Sequence, residues 1–221
     1  MEKLAILGEK GGGGKSTTAL GLAVAFALAG KEVAVIDLDP QATAAKWGDR
    51  RGKDFPAVVS CQVSRLDKVL EAAEHQGAQL AVIDTPGKST DAAIAAAKVA
   101  DFVLMPIRPQ MYDIETLDKT KDILTLAGHP PSAVLITNAP LQGRRHIEAQ
   151  EELTATGFTV CPTVLFSRVA HGDAGNIGQT AQEHDPKGKA AQEMLGVYAY
   201  IATALYPKER RREKKHAGSR A

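Results

Sequence analysis

Between positions 10 and 17 the chain reads Lys10-Gly11-Gly12-Gly13-Gly14-Lys15-Ser16-Thr17, and this run narrows the possible folds more than any other. Four consecutive glycines leave the backbone with no Cβ to shield it. Just before them, Lys3–Leu7 reads as a strand. Just after them, Lys15–Ala29 reads as a helix with Leu20, Ala23, Val24, Ala27 and Leu28 on one face, and Gly30 ends it. A glycine loop between a strand and a helix aims backbone N–H groups and the positive helix end at one point, and such a point binds an anion. Lys15 then reaches the β- and γ-phosphates of a nucleotide, and the Ser16 hydroxyl ligates Mg²⁺. The expected nucleotide-binding residues are Gly11, Gly12, Gly13, Gly14, Lys15, Ser16 and Thr17.

The rest of the chain alternates short β-rich runs with helical ones. Strands are expected at Glu32–Leu38, Ala57–Val63, Leu80–Asp84, Phe102–Pro106, Ala133–Thr137 and within Thr159–Phe166. Helices are expected at Leu66–His75, Ser89–Val99, Ile114–Leu126, Arg145–Thr156 and Lys189–Leu205. This alternation implies an α/β fold, a mostly parallel twisted sheet with helices on both faces. The 221 residues suit one such domain. The reading is a single nucleotide-binding domain over 1–207 and a basic, disordered tail over 208–221.

Two acidic segments fall at strand ends. In Asp37-Leu38-Asp39-Pro40-Gln41, the two carboxylates share a face because side chains alternate along a strand. They lie at the C-terminal sheet edge, where open α/β sheets bind ligands. In Leu80-Ala81-Val82-Ile83-Asp84-Thr85-Pro86-Gly87, an apolar strand delivers Asp84 to the same edge. That arrangement suits a carboxylate that holds Mg²⁺ through water.

The glycine loop departs from G-x-x-x-x-G-K-[ST], which would place glycine where the chain has Glu9; it carries a second lysine, Lys10, instead. With the D-x-D-P-Q and I-D-T-P segments in order, the chain resembles the ParA/MinD family of deviant Walker A ATPases. The family segment I-D-T-P-P has a proline where this chain has Gly87. The resemblance implies a P-loop NTPase fold, ATP and Mg²⁺ as cofactors, and a homodimer in the ATP state. It implies that Lys10 reaches across to the partner's phosphates, and that Lys10, Lys15 and Asp39 act in hydrolysis, with Asp39 positioning water. It places Ser16, Asp37 and Asp84 about the metal. Asn138 and Pro162 become walls of the adenine pocket. Asp113 is placed to cap the next helix. Likeness extends at lower specificity through Arg168, Gly178 and Glu183. Starting at its first strand, the chain resembles the small class that lacks an N-terminal helix-turn-helix extension.

Composition settles smaller questions. The net charge of +1 hides an asymmetry: residues 208–221 carry seven Lys/Arg against two Glu, leaving a mildly acidic body. Basic tails of this kind contact nucleic acid or anionic surfaces. Cys61 and Cys161 are too few for a disulfide framework or an iron–sulfur site and read as buried strand thiols. The histidines show no metal spacing. Tyr198 and Tyr200 sit in an apolar helical pattern that favours packing. No run of about 18 apolar residues exists and no leader is evident, so a cytoplasmic, nucleoid-associated protein is expected. The expected function is an ATP-dependent switch that positions or segregates cargo, slowly hydrolysing ATP under stimulation by a ParB-type or other adaptor and binding DNA non-specifically. A MinD-like membrane ATPase is disfavoured because the tail has no apolar face. A metabolic P-loop ligase lacks chain for its usual extra domain.

Overall fold

The computed structural model describes residues 1–207. Six strands form one parallel sheet: β1 (Glu2–Ile6), β2 (Val33–Asp37), β3 (Ala57–Ser60), β4 (Leu80–Asp84), β5 (Phe102–Ile107) and β6 (Ser132–Ile136), in the order β3-β2-β4-β1-β5-β6. The helices are α1 (Lys15–Leu28), α2 (Thr43–Arg51), α3 (Leu66–His75), α4 (Thr90–Val99), α5 (Met111–Ile114), α6 (Leu117–Leu126), α7 (Arg145–Ala155), α8 (Val169–Asn176), α9 (Ala181–His184) and α10 (Lys189–Leu205). A 3-10 turn, Val63–Arg65, leads into α3.

Because side chains alternate along a strand, the sheet feeds two cores. Leu4 and Ile6 join Leu22, Phe26, Met194 and Ile201 on one face. Ala5 and Leu7 join Leu70, Ala96, Ile123 and Leu153 on the other. Both faces are covered, which is why the strands read as unbroken apolar runs. The central pairing matters most for the site. β1 lies between β4 and β5, with Ile6 opposite Asp84 and Leu104. The loop after β1 therefore emerges beside the ends of both neighbours.

Helix α1 is more enclosed than its one-face pattern suggests. Ala19, Leu22, Ala25 and Phe26 are buried along with Leu20, Ala23 and Val24, while Leu28 is exposed. The helix is sandwiched between the sheet and α10, and a Cβ on Gly21 would lie 2.5 Å from Cε of Met194. Tyr198 packs edge-on against Phe26 and Tyr200 against Phe102, as their apolar setting implies.

Three expectations change. The segment 159–166 is no strand: it makes only isolated bridges, Val134 to Val160 and Ala139 to Phe166. Pro162 between them has no N–H to donate, and Thr163 turns toward Gly196 of α10. The expected helix from Ile114 to Leu126 becomes α5 and α6, and the Thr116 hydroxyl at the junction donates to the Asp113 carbonyl at 2.6 Å. The thiols are not in strands. Cys161 is buried and Cys61, just past β3, is half-buried; burial pushes the Cys161 thiol up to about 11.

Candidate nucleotide-binding site

The loop from Gly8 to Gly14 turns the chain from β1 into α1. Gly12 and Gly14 sit at φ of +78° and +79°, a region L side chains avoid. Among the described residues, the backbone N–H groups of Gly11 through Thr17 donate to no protein group. A concave row of free amides at a helix N-terminus is an anion cradle. Strand β6 holds the loop from behind. The Thr137 hydroxyl donates to the Gly13 carbonyl at 2.8 Å, and the Asn138 amide to the Gly12 carbonyl at 3.1 Å. Lys15 is buried, and its ammonium donates to the Lys10 carbonyl at 2.9 Å. Burial pulls its pKa down, with the charges of Asp84 and Asp39 pulling it back.

The carboxylates meet where the sequence places them. Asp37 and Asp84 are register partners at the ends of β2 and β4. Asp37 is fully buried. One oxygen accepts the Asp39 N–H at 2.9 Å and the other the Ala45 N–H at 3.0 Å. It thus pins the loop that carries Asp39 to the first turn of α2. Asp39 is more open, with one oxygen on the Gln41 N–H. Asp84 is 1% exposed; the Ser16 hydroxyl and the Lys15 ammonium are its polar neighbours, but neither stands in hydrogen-bonding geometry to its oxygens, which have no donor among the described residues. Burial pushes its carboxyl up to about 7; the Ser16 hydroxyl and Lys15 pull it down, and Asp37 and Asp39 push it up. A buried carboxylate without a donor is costly, and a cation beside it removes that cost. Mg²⁺ in such sites takes one or two carboxylates or hydroxyls and completes its shell with phosphates and water. Asp84 with Ser16 fits that description, although the described residues hold no ready-made cluster of three or more acidic, His or Cys ligands.

Lys10 is also held within its own chain. Its ammonium donates to the Tyr112 carbonyl at 2.5 Å and to Asp113 at 3.1 Å. Asp113 takes a second cation, Arg108, at 2.7 and 3.2 Å. Its carboxylate is engaged there and caps no helix, contrary to expectation. Burial would raise the Asp113 carboxyl, but the hydrogen bonds from Arg108 and Lys10 outweigh it and hold it below its ordinary value.

The two residues expected to flank adenine stand at different heights along β6. Asn138 stands at the loop, but Pro162 is exposed and follows Cys161, whose N–H bonds to Val134 in the middle of β6. At the level of Asn138 the second segment has advanced to Phe166 and Ser167, where the Ser167 N–H meets the Ala139 carbonyl. The lower-specificity positions form a strap. Arg51 pairs with Glu183 at 2.7 Å, Gly178 lies against the Arg51 backbone, and Arg168 pairs with Glu193 at 2.6 Å. Sequence reasoning missed Arg108 and Thr137 as site residues. A polar residue directly after each of two apolar strand runs was the available signal.

Strand, glycine cradle, buried lysine and paired strand-end carboxylates define a P-loop nucleotide-binding domain. The family model for the CobQ/CobB/MinD/ParA nucleotide binding domain matches residues 4–210. The maintenance of carboxysome distribution protein A of Gloeobacter kilaueensis is 31% identical over 206 residues, covering 91% of this chain and 93% of that protein. The chromosome-partitioning ATPase Soj of Thermus thermophilus is 26% identical over 234 residues, covering 86% and 91%. The structure of MinD from Pyrococcus horikoshii with Mg-ADP superposes with a TM-score of 0.72 at 17% identity, over 90% of this chain and 95% of that one. The chain belongs to the CobQ/CobB/MinD/ParA nucleotide-binding family, and its curated relatives include ParA and Soj proteins. No helix among the described residues is long and apolar enough to cross a membrane.

Proposed function

We propose that this chain is an ATP-driven positioning switch. ATP with Mg²⁺ enters the Gly11–Thr17 cradle, two subunits close over the nucleotides as a homodimer, and slow hydrolysis under an adaptor's stimulation reopens them. The arrangement that carries the reading is Lys15 buried beside unpartnered Asp84, with Asp39 on a loop pinned by Asp37. In this reading Gly11, Gly12, Gly13, Gly14 and Lys15 hold the phosphates. Ser16 and Asp84 hold Mg²⁺ directly or through water, with Asp37 in support, and Asp39 orients the attacking water. Bound Mg²⁺ would neutralise charge on the phosphates. Lys10 leaves Asp113 and contributes its charge to the partner's nucleotide. A groove of about 1220 Å³ opens from Gly11 and Gly87 past Asp39 to Arg65 and gives a second subunit room to approach.

The cargo is a plasmid, a chromosome or a protein cluster, and the ATP-state dimer rides on nucleoid DNA without sequence preference. The carboxysome and chromosome roles in the relatives' names support this class of work. A switch of this kind needs contacts that exist in only one nucleotide state. Size-exclusion chromatography with light scattering, with Mg²⁺ and either ADP or a non-hydrolysable ATP analogue, tests it. A dimer with the analogue and a monomer with ADP is the expected result; the same mass in both sinks the switch.

A further inference from the structure

Helix α2 starts at Thr43, just beyond the turn that carries Asp39. The connection between them is short and closed. The Ala42 N–H donates to the Asp39 carbonyl at 2.8 Å, and Asp37 holds the Asp39 and Ala45 N–H groups at 2.9 and 3.0 Å. A shift of α2 therefore reaches Asp39. On one flank the helix rests on β3, where a Cβ on Gly48 would lie 3.1 Å from Val58. Toward the start of α1 it leaves a gap. A cavity of about 120 Å³ is lined by Thr43 and Trp47 of α2, by Ser16 and Thr17 of α1, and by Gln179 and Gln182.

The chain from α8 to α9 bridges that gap, and its bonds to α2 are numerous. Trp47 Nε1 donates to the Gln179 carbonyl at 3.0 Å, and Arg50 Nε to the Gly175 carbonyl at 3.3 Å. Arg51, the last residue of α2, meets Glu183 with both ends of its fork, at 2.8 and 2.7 Å. It also donates to the Gly178 carbonyl at 3.1 Å and the Phe55 carbonyl at 2.9 Å. The two side chains are only 6% and 11% exposed. A Cβ on Gly178 would overlap the Arg51 backbone, so no larger residue fits there. Glu183 in turn accepts the Thr180 N–H at 3.1 Å, and the Gln182 amide donates to the Gly21 carbonyl of α1 at 2.7 Å. A buried two-pronged ion pair fixes direction as well as distance, which an apolar contact does not.

We propose that Arg51 and Glu183 are positioning residues for hydrolysis: by way of the α8–α9 segment they fix α2 relative to α1, and so set where Asp39 stands relative to the phosphate loop. The proposal rests on the reading of Asp39 as the residue that orients water. Arg51 ends a helix of nine residues, roughly 13 Å long, so it acts on the reaction only through that helix. The effect is large for a remote pair because a misplacement of about 1 Å costs on the order of a hundredfold in rate.

The test uses the full chain and its variants Arg51→Ala, Arg51→Lys and Asp39→Ala, with single-turnover hydrolysis of Mg²⁺-ATP read beside calorimetric affinity for Mg²⁺-β,γ-imido-ATP. Arg51→Ala should slow hydrolysis about tenfold or more and leave affinity within about twofold, because the cradle keeps its contacts. Combined with Asp39→Ala, it should slow the residual hydrolysis no further. Undiminished hydrolysis, parallel losses of rate and affinity, or a full additional loss in the Asp39→Ala background overturns the proposal. If Arg51→Ala does not fold, Arg51→Lys decides. It keeps a charge beside Glu183 but gives up the fork, and an unchanged rate in that variant overturns the proposal. Failure of the underlying reading is seen separately. If Asp39→Ala alone hydrolyses ATP at the wild-type rate, Asp39 does not orient water and the positioning role falls with it. If Asp39→Ala is slow while Arg51→Ala keeps the full rate, only the positioning role falls.

Discussion

The ammonium of Lys10 lies 3.1 Å from a carboxylate oxygen of Asp113, so the lysine that distinguishes this loop is engaged in its own subunit across 103 residues of sequence. Asp113 is buried, whereas the Lys10 side chain is 38% exposed. Arg108 keeps Asp113 paired when Lys10 departs. Lys10→Ala is therefore expected to leave the fold and the monomer's ADP affinity nearly unchanged, within about twofold, since a half-exposed pair contributes little. Hydrolysis or dimer formation with ATP should fall. A variant with full ATPase activity and normal dimerisation counts against a role for Lys10 across the interface.

Asp113→Ala should behave differently. It leaves Arg108 and Lys10 without their common partner, so a loss of about 1–3 kcal/mol is expected at neutral pH. The sign with pH follows from the depressed carboxyl. The wild-type advantage is complete above the unfolded carboxyl's pKa. It fades as pH falls through the lower folded value, when the native carboxylate is protonated. Urea melts of wild type and variant at several pH values between 3 and 7 measure it. A gap that widens on acidification refutes the assignment.

Asp84 carries the opposite sign. Its carboxyl is pushed up to about 7 by burial, so in the nucleotide-free, metal-free protein the folded state holds the proton more tightly than the unfolded one. Stability should fall as pH rises from the ordinary carboxylate range toward 7. Asp84→Asn removes that titration. It should raise the melting temperature in EDTA at pH 8 and matter little at pH 5, while weakening Mg²⁺-dependent nucleotide binding. No stabilisation at pH 8 would show that Asp84 is better satisfied than its isolation in the fold indicates.

Lys15→Ala removes a buried cation and its phosphate contacts together. ATP binding should disappear from calorimetry, and unchanged affinity would remove Lys15 from the site. Asp39→Ala keeps the binding contacts but loses the group that orients water. It should persist as an ATP-bound dimer, read as doubled mass by light scattering. A monomer under conditions where wild type dimerises contradicts closure over the nucleotide.

The parts of this molecule legible in sequence are those where local chemistry leaves few choices. The loop from Lys10 to Thr17 needs glycines, and Leu80–Asp84 is an apolar strand with an acid at its end; both stand where their residues place them. Helix α2 was not legible, because Ala44 and Trp47 are its only buried positions and leave no period to read. Helix α8 has two glycines and buries Ala174 alone. Pro162 lies at a different height from Asn138 for a similar reason. Distance along a segment translates into height along the sheet only if the segment is a regular strand, and residues 159–166 are not one. The pairing of Lys10 with Asp113 joins the phosphate loop to helix α5, a product of tertiary arrangement that no local pattern records.

The final expectation concerns DNA. Residues 208–221 lie outside the described residues, so the argument for them is one of charge: seven Lys/Arg against two Glu. Arg144 and Arg145, exposed at the start of α7, and Lys187 and Lys189 add to the basic character of the C-terminal third. Phosphate contacts by Lys and Arg need no base readout, so binding should be indifferent to sequence and fall steeply with salt. Dimerisation doubles the basic surface, which makes ATP a prerequisite through avidity. Truncation after Pro207 separates tail from domain. The full chain with ATP should shift non-specific duplex DNA at low salt, and the truncated chain should bind more weakly, with a shallower salt slope. Equal binding across the salt series assigns DNA contact to the domain surface instead. Failure of the full chain to bind in ATP removes DNA from the proposed cycle and leaves the nucleotide switch.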